Sequence, residues 1–376
     1  MRQLTGAGRT VVAGQARRRC SVVLAVVVVL GAVPVLLAHR PVPATGITPA
    51  ALRDRIAASA GQVHQGYAQS AGALGLPALP NLEQVTALVS GTTEMRVWRG
   101  ARDRWRVDVL GPGTEQGLYQ LPGEQYLWDY GESRLTRIVG EQPLRLPRAA
   151  DLTPPELVRR LLSLAAGDRV EPLPGKRVAG VVAAGLRVVP VAPGTTVAHI
   201  DVWADPDSGL PLQAEITARG ARRPVFVTRF LEVSLTAPAA AVLDPPVPGP
   251  GIGAATTSAA DVLAALDRWD SLTPPDSLAG YPRQDSVDGV PVVGVYGTGL
   301  ARFVALGLPG RLGDDVFGNA ARWGRRLTVS GGEAVLITAG LLNVLAVRAE
   351  RTYLVTGFVD APLLERVAAD LAGGTA

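Results

Sequence analysis

Residues 104–139 read RWRVDVLGPGTEQGLYQLPGEQYLWDYGESRLTRIV, an apolar/charged alternation broken every few positions by Gly, Pro or Asp. Trp105, Val107 and Val109 point one way along the first run, and Arg104, Arg106 and Asp108 point the other. Tyr126, Trp128 and Tyr130 repeat the pattern further on. A period of two with short turn clusters predicts an antiparallel meander with one wet face and one dry face. The question is what covers the dry side: the chain's own side chains, or a guest.

The pattern changes on both sides of the meander. TPAALRDRIAASAGQVHQGYAQS (48–70) predicts a surface helix with Thr48 as N-cap, Pro49 at its first position, and Leu52, Ile56 and Val63 on one stripe. From Val85 to Val139 six short strands are expected. DLTPPELVRRLLSLAAG (151–167) has the form of a capping box, Thr153 with Glu156, ahead of a strongly apolar helix that includes Leu161. Such a helix would serve as a plug on the dry face. Strands resume through residues 177–235, with DPDSG (205–209) as a hairpin turn. Residues 236–257 are rich in Pro, Ala and Gly and read as a linker. Residues 258–376 then run helix, several strands, helix, a small α+β module whose last helix starts at Asp360.

Charge and composition limit the function. The 376 residues carry a net charge of +4, yet Arg2, Arg9, Arg17, Arg18 and Arg19 supply +5 before residue 21, with no acid among them. The remainder is close to neutral, so no basic patch points to nucleic acid. Residues 21–38, SVVLAVVVVLGAVPVLLA, contain no charge and would span about 27 Å as a helix, close to the thickness of a bilayer core. The arginines before this run place the N-terminus in the cytoplasm and residues 41–376 outside, with a single-pass anchor favoured over a cleaved signal peptide. The one cysteine, Cys20, lies ahead of the apolar run, so the exported part has no disulfide.

Catalytic signatures are missing. His39, His64 and His199 have no His or Cys at ligand spacing, and no metal or other cofactor is implied. GTGLAR (297–302) lacks the third glycine of a dinucleotide fingerprint and reads as a hairpin turn. No G-x-S-x-G elbow and no phosphate-binding loop occur. An enzyme is not expected. What remains is the aromatic and aliphatic set Trp105, Val107, Val109, Tyr126, Trp128 and Tyr130, with Leu161 above it. For any single member plain core packing is the simpler account. As a set they could line an apolar cavity, in which each buried methylene of an acyl chain contributes about 0.8 kcal/mol without any polar contact.

The order helix, meander, plug helix, then AHIDVWADPDSGLPLQAEI (198–216) and VFVTRFLEVSL (225–235) resembles the LolA-like lipoprotein-carrier fold. VYGTGLARFVALGL (295–308) and RTYLVTGFVDAPLLERVAADL (351–371) are similar to the C-terminal domain of the MucB/RseB sigma-E regulatory proteins. The resemblance implies an antiparallel half-barrel over residues 47–235 with covering helices and a small α+β domain after the linker. It implies a membrane lipid or lipoprotein acyl chain as ligand and an anti-sigma factor or other membrane protein as partner, in envelope-stress signalling. Members of that family are exported as soluble proteins, so an anchor would make this chain a sensor held at the membrane. A structural or assembly module of the envelope with a solidly packed sheet is the competing reading.

Overall fold

The structure is a computed structural model that describes Val23 and residues 45–75, 83–140, 147–258, 273–284 and 293–373. Apart from Val23 the expected membrane segment lies outside these residues, as does most of the helix expected from residue 258. Among the described residues no helix is long and apolar enough to cross a membrane. Residues 44–376 form one compact unit.

Helix α1 (Pro49–Ala58) opens on Thr48, whose hydroxyl accepts from the Ala51 amide. It stops far short of the predicted helix, because His64–Gly72 is strand β1. Gly61 ends the helical stretch, and only Leu52 and Ile56 of the expected stripe are buried on α1. A second correction follows at Glu83–Ser90, which is helix α2 where a strand from Val85 was expected. The meander is therefore five strands: β2 (Thr92–Arg99), β3 (Trp105–Gly111), β4 (Thr114–Leu121), β5 (Glu124–Asp129) and β6 (Arg134–Val139).

Helix α3 (Pro154–Leu164) follows, then a second meander: β7 (Arg169–Val178), β8 (Val181–Val189), β9 (Val197–Ala204), β10 (Pro211–Ala218) and β11 (Phe226–Ser234). Strand β1 lies between β2 and β11 and joins the two meanders into one sheet. The DPDSG turn forms as expected, with the Asp205 carboxylate accepting from the amide and the hydroxyl of Ser208. Segment 236–257, expected as a linker, runs back along the sheet: Leu243 is buried, and β12 (Gly253–Ser258) adds in parallel to the edge of β6.

Helices α1 and α3 cover one face of the β7–β11 half. Leu52, Ile56, Val158, Leu161 and Leu162 interlock there with Leu186, Val188, Ile200, Val202 and Ile216. This is the predicted plug, and it is solidly packed. Arg53 ties the two helices together by donating to the Ala165 carbonyl at the C-terminal end of α3 (2.8 Å).

The chain then forms the short hairpin β13 (Ser277–Leu278) and β14 (Tyr281–Pro282), followed by a six-stranded antiparallel sheet. Its strands are β15 (Val293–Tyr296), β16 (Phe303–Leu308), β17 (Arg325–Leu327), β18 (Glu333–Ala339), β19 (Leu342–Arg348) and β20 (Thr352–Gly357). Helix α5 (Ala361–Gly373), capped by Asp360, packs Leu363, Leu364 and Val367 on one face. A helix not expected from the sequence, α4 (Gly310–Trp323), places Phe317 and Ala320 on the other. The sheets meet directly: the Thr196 amide donates to the Phe358 carbonyl (2.9 Å), and Leu300 and Leu341 complete the core under α3.

Candidate functional site

Two residues link β3 to β4, and two link β4 to β5. In antiparallel pairing each such turn exchanges odd for even positions on a given face. Val107 faces Leu118, which faces Leu127, so odd positions of β3 share a face with odd positions of β5. Trp105, Val107 and Val109 thus stand on the helix-covered face with Val97 and Met95. Tyr126, Trp128 and Tyr130 stand on the opposite one. The single aromatic face expected from the sequence is two faces.

On the opposite face Trp128 packs with Tyr119, Leu135, Tyr126 and Ile252. The Arg106 guanidinium lies 4.8 Å from the ring centroids of both Trp98 and Tyr119. It donates to the fully buried Asp108 carboxylate (2.7 Å), to the Tyr130 hydroxyl (2.6 Å) and to the Val242 carbonyl (3.2 Å). Gly117 makes room for this array, because a Cβ there would sit 2.8 Å from Asp108 Oδ1. Burial, then a hydrogen bond to Asp108, holds the Glu115 carboxyl above its ordinary pKa. Three of the proposed ligand-binding residues therefore belong to a cross-strand stack strapped down by segment 236–252. Leu161 lies in the packed core under α3.

The helix-covered face does hold a cavity, of about 450 Å³, where the end of α1 and the start of α3 leave β2 and β3 uncovered. Trp105 and Val107 form part of its floor; Val109 packs into the neighbouring core instead. The walls are charged. Arg99, Arg102, Arg159 and Arg160 line it against only two carboxylates, Asp151 and Glu156. An oily hollow was expected; this one is rich in guanidinium.

Three of these charged groups, Arg99, Glu156 and Arg159, hold one another in place. Arg99 ends β2 with only 8% of its side chain exposed. It pairs with Glu156, reaches the Ala60 and Arg102 carbonyls at 3.4 and 3.3 Å, and lies 5.8 Å above the Trp105 ring. Glu156 also accepts from Arg159 at 2.7 Å. The capping box read from Thr153 and Glu156 does not form: the Thr153 hydroxyl donates to the Ala150 carbonyl, and Glu156 is taken up by the two arginines. Arg159 Nη1 is buried without a hydrogen-bond partner among the described residues.

His64, predicted on a helix, instead begins β1 and stands beside Arg99 in the adjoining strand. Its Nδ1–H donates to the Gln62 carbonyl (2.9 Å), and its ring meets Phe230 edge-on at 5.7 Å. Its pKa falls from 6.5 to about 4, first by burial, which outweighs the raising effect of the hydrogen bond to the Gln62 carbonyl, with the charges of Arg99 and Arg159 adding to the fall. A neutral imidazole and a cluster of fixed cations thus share one wall. Among the described residues no group of His, Cys, Asp and Glu side chains is arranged to hold a metal.

Sequence reasoning missed Arg99, Arg159 and His64. The signal available was Arg159-Arg160 three and four residues after Glu156 on an otherwise apolar helix, which places charge toward a packed face.

The architecture is that of a large, mostly antiparallel sheet plugged by helices, with a second, smaller sheet docked to it. In fold the chain is similar to MucB in the MucA/MucB complex of Pseudomonas aeruginosa, with a TM-score of 0.47 and 20% identity over 84% of this chain and 95% of that one. A structure of MucB alone gives a TM-score of 0.43 and 21% identity over 86% and 96% of the two chains. A LolA superfamily protein from Nitrosomonas europaea gives 0.23 and 11% identity over 53% of this chain and 99% of that one. No family model and no curated protein matches the chain.

Proposed function

We propose that this chain is a non-enzymatic extracytoplasmic binding protein, held at the membrane by residues 21–38, that takes an anionic group of its ligand into the cavity between α1, α3 and β2–β3. The observation that carries the reading is the cavity's unequal charge: four guanidinium groups face two carboxylates, and Arg159 keeps a buried donor unused. A buried donor without a partner costs about 1–3 kcal/mol, a cost that an incoming phosphate or carboxylate oxygen would remove. The volume of about 450 Å³ is in the range of small-molecule sites. Trp105 and Val107 offer apolar floor for the first part of a chain attached to that group.

The class of partner comes from the sequence resemblance to MucB/RseB proteins: a membrane-anchored regulator such as an anti-sigma factor, with release governed by what fills the cavity. The acidic group could belong to a lipid phosphate or to an acidic segment of such a partner. Calorimetric titration separates these sources and tests the common chemistry. Lysophosphatidic acid and a monoacylglycerol of the same chain form one pair; an aspartate-rich peptide and its asparagine counterpart form the other. One anionic probe should bind at least tenfold more tightly than its neutral mate, and Arg159→Met should erase that preference. Equal binding within both pairs would overturn the proposal.

A further inference from the structure

We infer that α4 is a self-association surface through which two copies of this chain pair as antiparallel helices. Its inner face is occupied: Gly313, Phe317 and Ala320 are buried against β18–β20, with Gly313 so close to Thr352 that a Cβ would lie 2.7 Å from it. Its outer face is not. Leu312 is 48% exposed and Trp323 65% exposed, two of the few large apolar side chains left in solvent among the described residues. Val316 and Asn319 lie half-buried between them.

The spacing of these four residues is the informative feature. Steps of four, three and four along 312, 316, 319 and 323 put them on one line down a helix, the seam of a two-helix coiled contact. One polar residue, Asn319, stands within that seam, the usual device for fixing register at some cost in stability.

Charge complementarity argues for a second copy as the occupant. When two α4 helices cross antiparallel about an axis near residues 317–318, Leu312 of one meets Trp323 of the other, and Val316 meets Asn319. The exposed charged residues that flank the seam on one side are Asp315 and Arg322, and the same axis brings Asp315 of each copy within a turn of Arg322 of the other. The seam thus carries its own complement, twice over. A single helix pair buries less than the roughly 800 Å² per partner of a standard interface. The pairing is therefore weak in dilute solution and is favoured by confinement, as on a membrane.

Charge reversal tests this on the full chain in neutral detergent micelles, read by sedimentation equilibrium up to about 100 µM. The wild type should dimerise within that range. Asp315→Arg and Arg322→Asp should each raise the dimer dissociation constant about tenfold, and the double variant should return it to within a few-fold of wild type. Circular dichroism checks that every variant stays folded, and Trp323→Ser, which leaves the charges intact, should also weaken the dimer. A monomeric wild type, or single reversals without effect, would overturn the inference. Cavity binding is measured separately, so failure here leaves the ligand site untouched.

Discussion

His64 should make this protein lose stability on mild acidification, by an amount its surroundings set. The imidazole is buried beside Arg99 and Arg159, with Glu156 the acid that pairs with both, and its pKa is about 4 against about 6.5 when exposed. Between those values the unfolded chain binds more protons than the folded one. Stability is thus full above pH 6.5 and declines as the pH falls toward 4. For these two pKa values the loss between pH 7 and pH 5 is roughly 2 kcal/mol, and about 3 kcal/mol by pH 4. His64→Gln keeps a donor for the Gln62 carbonyl and has no proton to gain. Urea titrations followed by tryptophan fluorescence at pH 7 and pH 5 give the difference between wild type and variant, in which titrations common to both cancel. The wild type should lose about 2 kcal/mol more than His64→Gln over that interval. Parallel pH dependence in the two proteins would mean instead that His64 titrates as an exposed histidine does.

Four further substitutions probe the structure. Glu156→Ala leaves Arg99 nearly buried without its carboxylate and should cost on the order of 2 kcal/mol in urea unfolding, less than a fully buried pair because Glu156 is 37% exposed. Gly117→Val should push Asp108 away from Arg106 and destabilise the sheet by about 2 kcal/mol or more, seen as a lower thermal midpoint, while Gly113→Ala, in a turn with open space but positive φ, should cost less. Leu161→Ala removes a side chain packed between α3 and the sheet, and should cost about 2–5 kcal/mol without changing ligand preference in the cavity.

Much of the fold was legible because its periods are plain. The strand alternation in 104–139, the DPDSG turn and the Asp360 cap each lie where local chemistry places them. What failed did so for identifiable reasons. Alternation alone does not place Tyr126, Trp128 and Tyr130 on a face: it shows that a strand has two sides, while the two-residue turns decide which side of β5 continues which side of β3. Helix α4 went unseen because Gly310, Gly313 and Gly318 depress helix propensity, a cost that Gly313 offsets by letting the helix approach Thr352. Strand β1 carries no local strand signal, since HQGYAQSAG has no β-branched residue and takes its conformation from β2 and β11 on either side. The cavity's arginines come from the end of β2 and the bend after it and from a helix far along the chain, and nothing local in either announces the other.

An anionic occupant of the cavity between α1, α3 and the floor of β2 and β3 is what the proposed function requires. Photolabelling with a diazirine-bearing lysophosphatidic acid, followed by peptide mass spectrometry, tests it most directly. Labels are expected at Trp105, Val107 and the first turns of α3, displaced by unlabelled lysophosphatidic acid and lost in Arg159→Met. Labels that fall elsewhere on the chain, or that persist unchanged in the variant, would contradict it.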